Sequence, residues 1–336
     1  MSRRPAATAR RVLVAALLLL AALAGCSSNS DSGTTDTAVT LGFSAWPGWF
    51  PWQVAADEGL FAKNSVKVNL KYFDSYTDSL NALASGSIDA NSQTLNDTLS
   101  SVAGGAKESI VLVNDNSTGN DQIIAKAGIN SIADLRGKTV AAEQGTVDHY
   151  LLLLALARAG LSEKDVTFKP LLTDAAAAAF VAGKVDAVGV FAPFTGTALG
   201  RVGSKAIATS KDFPGAIPDH LVTTRSLVDK RPDAVQALVR TWFDALAWIK
   251  ANPAKANEIM AKRAGVSTSE YAGYDAGTTI FTLRQNLDAF NPGSTDAHLD
   301  FQTKKISDFL VGTGLVDAAP KTDGLFEPRF VQQMTK

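Results

Sequence analysis

Residues 44–61, SAWPGWFPWQVAADEGLF, hold the chain's densest group of side chains able to grip a small solute. Trp46, Trp49, Trp52 and Phe50 crowd a stretch that contains Pro47 and Pro51. Indole faces attract flat and cationic groups. The alternative is that the rings plug a core or a domain seam. Covalent chemistry has far less support. His149, His220 and His298 are scattered, and the chain's one cysteine is Cys26. No Ser-His-Asp spacing, cysteine-rich zinc motif or redox pair is present in the sequence. Paired acids alone could serve acid–base work, so an enzyme is kept as a rival class. No cofactor or metal is expected.

The elements around this stretch alternate. Residues 39–43 read as a strand, and the tryptophan loop runs from it into a helix. Further strand patterns lie at 66–72, 110–114, 139–142, 166–171, 187–191 and 206–209. Helical spacing marks 78–84, 147–159, 232–251, 253–264, 267–277 and 300–311, with Pro232 and Pro253 at favoured first-turn positions. Trp242 and Trp248 fall in one of these helices and are expected in the core. An internal echo links NALASGSIDA at 81–90 with AFVAGKVDA at 179–187. Both read as helix, glycine, short turn, Asp-Ala, strand, with Gly86 and Gly183 at helix ends and Asp89 and Asp186 holding turns. Alternating strands and helices imply an α/β fold, and the echo implies two similar units with a cleft between them. The 336 residues are enough for two cores. A net charge of −1 offers no basic surplus for nucleic acid.

The amino end reads as a targeting segment. Arg3, Arg4, Arg10 and Arg11 precede an apolar run at 12–24, a suitable length for a signal-peptide core. The run ends in Leu23-Ala24-Gly25-Cys26, which resembles a bacterial lipobox; processing would leave a lipid on Cys26. Residues 27–38 are almost wholly polar and read as a flexible tether. The expectation is a signal peptide at 1–25, a lipidated tether at 26–38 and a body held at the extracytoplasmic face of a membrane.

Trp-Pro-Gly-Trp-x-Pro with Glu-Gly-Leu-Phe, then Leu-Ala-Ser-Gly-Ser-Ile-Asp-Ala, then Ile-Ala-Asp-Leu-Arg-Gly-Lys-Thr-Val-Ala with Gly-Thr, occur in that order. The pattern resembles the solute-binding proteins of ABC importers, of the nitrate/sulfonate/taurine/bicarbonate type, over about residues 41–330. The resemblance implies a two-lobed, type II periplasmic-binding-protein fold, each lobe a mixed sheet wrapped by helices. It places lobe 1 at 39–120 plus 222–336, lobe 2 at 121–221 and the crossings near 119–125 and 219–224. It further implies a monomer that closes on a small solute and meets a membrane permease with its cytoplasmic ATPase. Pyrimidine-precursor synthases of thiamine biosynthesis resemble the same family but rely on histidine and a cysteine-rich motif. A surface adhesion lipoprotein is a third class, one that would need no hinged lobes.

By this topology the cleft is lined by residues 44–51, 91–98, 114–122, 143–150, 191–195 and 212–220. These segments contain no lysine or arginine but hold Asp97, Asp115, Asp121, Glu143, Asp148, Asp212 and Asp219. The acids favour a cationic or amide-like nitrogen solute, guanidinium first and urea-like molecules next. A sulfonate, taurine or nitrate-type anion is the alternative, held by a helix start at Gly145 and Thr146. The expected ligand contacts are Trp46, Trp49, Gln93, Thr94, Asp97, Asp121, Glu143, Gly145, Thr146, Phe191 and Asp219. Asp97 and Asp148 would alternatively complement helix dipoles, and His220 reads as structural.

Overall fold

The computed structural model describes residues 37–335. The expected signal peptide, Cys26 and most of the tether lie outside them. Eleven strands form two sheets: β1 (Val39–Phe43), β2 (Val68–Tyr72), β3 (Ala90–Thr94), β4 (Glu108–Ser117), β5 (Asp121–Ala125), β6 (Thr139–Ala142), β7 (Thr167–Pro170), β8 (Ala187–Phe191), β9 (Lys205–Thr209), β10 (Pro218–Thr224) and β11 (Thr278–Ile280). The first sheet has the order β11-β4-β10-β3-β1-β2 and the second β7-β6-β8-β5-β9. Each is mixed. Parallel pairs β1–β2 and β1–β3 in one, and β6–β7 and β6–β8 in the other, meet antiparallel strands β10 and β5 respectively.

The internal echo is a shared hydrogen-bond pattern. Asp89 accepts from the Thr40 N–H at 2.8 Å, and Asp186 accepts from the Thr139 N–H at 2.9 Å. Each thereby ties the turn before a strand to the start of its parallel neighbour. Gly86 and Gly183 have φ of 72° and 73° just after the helices Tyr76–Ala84 and Thr173–Val181, a left-handed conformation that glycine adopts without strain.

Two boundaries differ from the sequence reading. β10 lies whole in the first sheet, so the return from the second sheet runs through 210–217 rather than 219–224. The segment 267–277 is a short helix, Thr268–Ala272, followed by the 3-10 turn Gly273–Gly277, not one helix. Trp52 and Trp242 meet in the core of the first lobe at 4.8 Å between centroids, and Trp52 Nε1 donates to Ser92 Oγ at 2.9 Å. Trp52 therefore anchors the loop from behind, while Trp248 packs half-buried on the same core. Among the described residues no helix is long and apolar enough to cross a membrane.

Candidate ligand-binding cleft

The cleft is built at strand ends. β1 runs into a tight turn, closed by Trp49 N–H to the Trp46 carbonyl at 3.0 Å and Trp52 N–H to the Trp49 carbonyl at 3.1 Å. Pro51 then starts the helix Pro51–Asp57. The turn sends Trp46 and Trp49 forward into a cavity while Trp52 goes back into the core. Trp46 lies 6.4 Å from Trp49 and 6.4 Å from Phe191, which ends β8 in the other sheet. Tyr76 completes the box at 5.4 Å from Trp49 and 6.1 Å from Phe191. Rings from both lobes thus face one small space. It leaves about 10 Å³ for the centre of a water molecule, room for about one water.

Three aspartates meet at this box. Asp115 on β4 and Asp219 on β10 stand directly opposite in register. Trp46 Nε1 donates to Asp115 Oδ1 at 2.9 Å. Asp121 opens β5, opposite Phe191, and lines the cavity with Asp219. The Oδ2 atoms of Asp115, Asp121 and Asp219 are buried and have no protein partner. Burial pushes the Asp115 and Asp121 carboxyls up to about 7. Burial, with repulsion from Asp115 and Asp121, drives Asp219 well above the ordinary carboxylate range. Among the described residues no lysine or arginine lines this cavity or the adjoining one, which includes Ser44, Ser75, Glu143 and Thr173. Gly48 is required where it stands. A Cβ there would lie 2.0 Å from Asp115 Oδ2.

Other expected contacts are engaged elsewhere. Thr94 lines the cavity, caps the helix Leu95–Ala103 and donates to Asp97 Oδ2 at 2.7 Å. Asp97 sits behind it, accepting also from Asn96, with burial lifting it to about 7. It is a helix-end acid rather than part of the aromatic box. The Gln93 amide nitrogen donates to Thr98 and Glu108 and its oxygen accepts from Asn91, all inside the first lobe. The Gly145 N–H donates to His149 Nδ1 and the Thr146 hydroxyl to the Glu143 carbonyl. Glu143 does not face the box with a free oxygen. It accepts from Thr77 in the first lobe and Thr173 in the second. The single Thr173 hydroxyl proton goes to one acceptor, so of the two carboxylates at 2.7 Å one must itself be protonated. Asp148, driven well up by burial and by neighbouring acids, is that donor.

Tyr76, Asp115, Val147 and Ile217 belong to the site and were not among the expected contacts. Tyr76 was hidden because its helix starts two residues before the apolar spacing does. Asp115 was visible as one of the cleft acids, but its place opposite Asp219 depends on strand register.

Two mixed α/β sheets joined through segments 118–120 and 210–217, with an aromatic and acidic cavity between them, define a two-lobed periplasmic-binding-protein fold. The alkanesulfonate-binding protein SsuA from Xanthomonas axonopodis pv. citri, solved bound to MOPS, has the same fold, with a TM-score of 0.74 at 21% identity over 87% of this chain and 98% of that one. Residues 32–264 match the NMT1-like family, and the chain belongs to it. A Brucella abortus (strain 2308) relative, named only as a binding protein, is 30% identical over 213 residues, 62% of this chain and 66% of its own length. The taurine-binding periplasmic protein of Escherichia coli (strain K12) is 30% identical over 246 residues, 70% of this chain and 76% of that protein.

Proposed function

We propose that this chain is the extracytoplasmic solute-binding protein of an ABC importer, not an enzyme. Its solute is a small cationic or amide-like nitrogen compound, with guanidinium first. One observation carries the choice of solute: an aromatic cavity that holds carboxylate oxygens without partners and has no basic side chain. Removing an uncompensated carboxylate from water costs several kcal/mol. A cation between Asp121 and Asp219 offsets that cost, and an indole face adds about 0.5–2 kcal/mol. Guanidinium also presents planar N–H donors suited to carboxylates. A permease and its ATPase are the partners in this reading, and a lipid on Cys26 holds the chain at the membrane.

A sulfonate or taurine-type solute is the second reading, favoured by the taurine-binding relative. Its ammonium could use the same aspartates, but its sulfonate would face acids with no counter-charge. Titration of the full chain with guanidinium, urea, taurine and nitrate, followed by tryptophan fluorescence, separates the two. Saturable quenching by guanidinium with taurine and nitrate silent is expected. Saturation by taurine or nitrate alone would overturn the choice of solute and leave the importer role standing.

A further inference from the structure

Glu143 directly follows β6 in the second lobe and is 3% exposed. Its Oε1 accepts from the Thr77 N–H at 3.2 Å and from the Thr77 hydroxyl. Its Oε2 accepts from the Thr173 N–H at 3.1 Å and the Thr173 hydroxyl at 2.7 Å. Thr77 lies in the first turn of the helix Tyr76–Ala84 of the first lobe, and Thr173 opens the helix Thr173–Val181 of the second. A carboxylate carried by the chain therefore rests where two helix starts from opposite lobes converge. Backbone N–H groups and the helix dipoles favour negative charge at such a place.

The cavity that Glu143 borders shares Ala45, Tyr76 and Phe191 with the aromatic box and has no lysine or arginine on its wall. An oxyanion entering between the lobes needs donors, and here four of them already face Glu143. Next door, the box lined by Asp121 and Asp219 adds no basic side chain to receive it.

We propose that Glu143 determines the sign of the solute: a tethered carboxylate holds the donors an oxyanion would require and latches the lobes, so sulfonates and carboxylates are refused. The inference deepens the binding-protein reading and rests on it only for the premise that solute enters between the lobes. It acts through the Thr77 and Thr173 donors, which makes Glu143 a positioning residue for closure as well as a filter.

Calorimetric titration of the full chain, of Glu143→Ala and of Glu143→Gln with methanesulfonate and acetate tests it, with the radius of gyration from small-angle scattering as second readout. Wild type is expected to give no saturable heat with either anion through the millimolar range. Glu143→Ala should bind both at least about tenfold better, the scale of charge-assisted hydrogen bonds. Acetate should also restore the compact radius that the alanine variant loses. Glu143→Gln, which fills the same space, should gain much less. Saturable methanesulfonate binding by the wild type would overturn the inference whether or not the variants fold. A folded Glu143→Ala that gains no anion and shows no rescue by acetate would overturn it as well. Guanidinium titrated into the same wild-type preparation keeps the two readings apart: its silence with anion gain in Glu143→Ala would sink only the cationic solute.

Discussion

Asp121 and Asp219 carry the charge on which the proposed selectivity turns. Both line the cavity and each has a buried oxygen without a protein partner. A hydrogen bond to a charged group is worth about 1.5–3 kcal/mol, so Asp121→Asn should weaken guanidinium binding about tenfold to a hundredfold, measured by calorimetry at pH 7.5. The same acids set a pH dependence for the empty protein. Asp97, Glu108, Asp115 and Asp121 are lifted to about 7, and burial and neighbouring acids drive Asp148 and Asp219 well above the ordinary carboxylate range. Raised carboxyls keep their protons in the folded chain after the unfolded chain has lost them. Stability is therefore present at low pH and falls as pH rises through 7. His220 opposes this, because burial holds it down to about 3 and its contribution is lost as pH drops below the ordinary histidine range. Six carboxyls outweigh one histidine near neutrality. Thermal melts should show a higher Tm at pH 6 than at pH 8, and the reverse order would contradict the buried-acid account. The acidic lining was legible in the sequence as a shortage of lysine and arginine across six segments. Which acids keep free oxygens was not, because Asp97 and Glu143 differ from Asp121 only in the helix starts that reach them.

The elements that aim these side chains carry their own test. The turn after β1 brings Gly48 against Asp115, and a Cβ there would overlap Asp115 Oδ2 at 2.0 Å. Gly48→Ala should displace that carboxylate, detach Trp46 Nε1 from Asp115 and reduce solute affinity about tenfold, since the lost contact is a charge-assisted hydrogen bond. Undiminished binding by the folded variant would show that the Trp46–Asp115 contact does not matter. Strand legibility followed burial. β1, β6 and β8 were visible as apolar runs. β3, ANSQT, shows no apolar pattern although all five residues are buried. Most of its polar groups are matched inside the lobe, Ser92 with Trp52 and Asn114, the Asn91 amide nitrogen with Ser79, and Gln93 with Glu108. The echo announces this strand after Asp89-Ala90, but only contact partners reveal that its polar side chains face inward, which is why Gln93 looked like a solute ligand.

At the scale of the molecule, the two sheets close on a space no larger than about one water. Guanidinium is larger than that space, so the lobes must part to admit it and close less far around it. Scattering should therefore show compaction when the preferred solute is added, and an unchanged radius would argue against hinged capture. The two-lobed arrangement was legible from the echo at 81–90 and 179–187, because the same Asp-to-N–H bond recurs at Asp89 and Asp186. The return point was not, since β10 gives no sign in its own residues of which sheet it joins. The most direct test of the central claim is the direction of proton exchange on binding. Calorimetry of guanidinium binding near pH 7, repeated in two buffers of different ionisation enthalpy, measures it. A cation that takes the place of protons on Asp115, Asp121 and Asp219 should release protons to the buffer. Guanidinium without heat, together with taurine binding accompanied by proton uptake, would contradict the account.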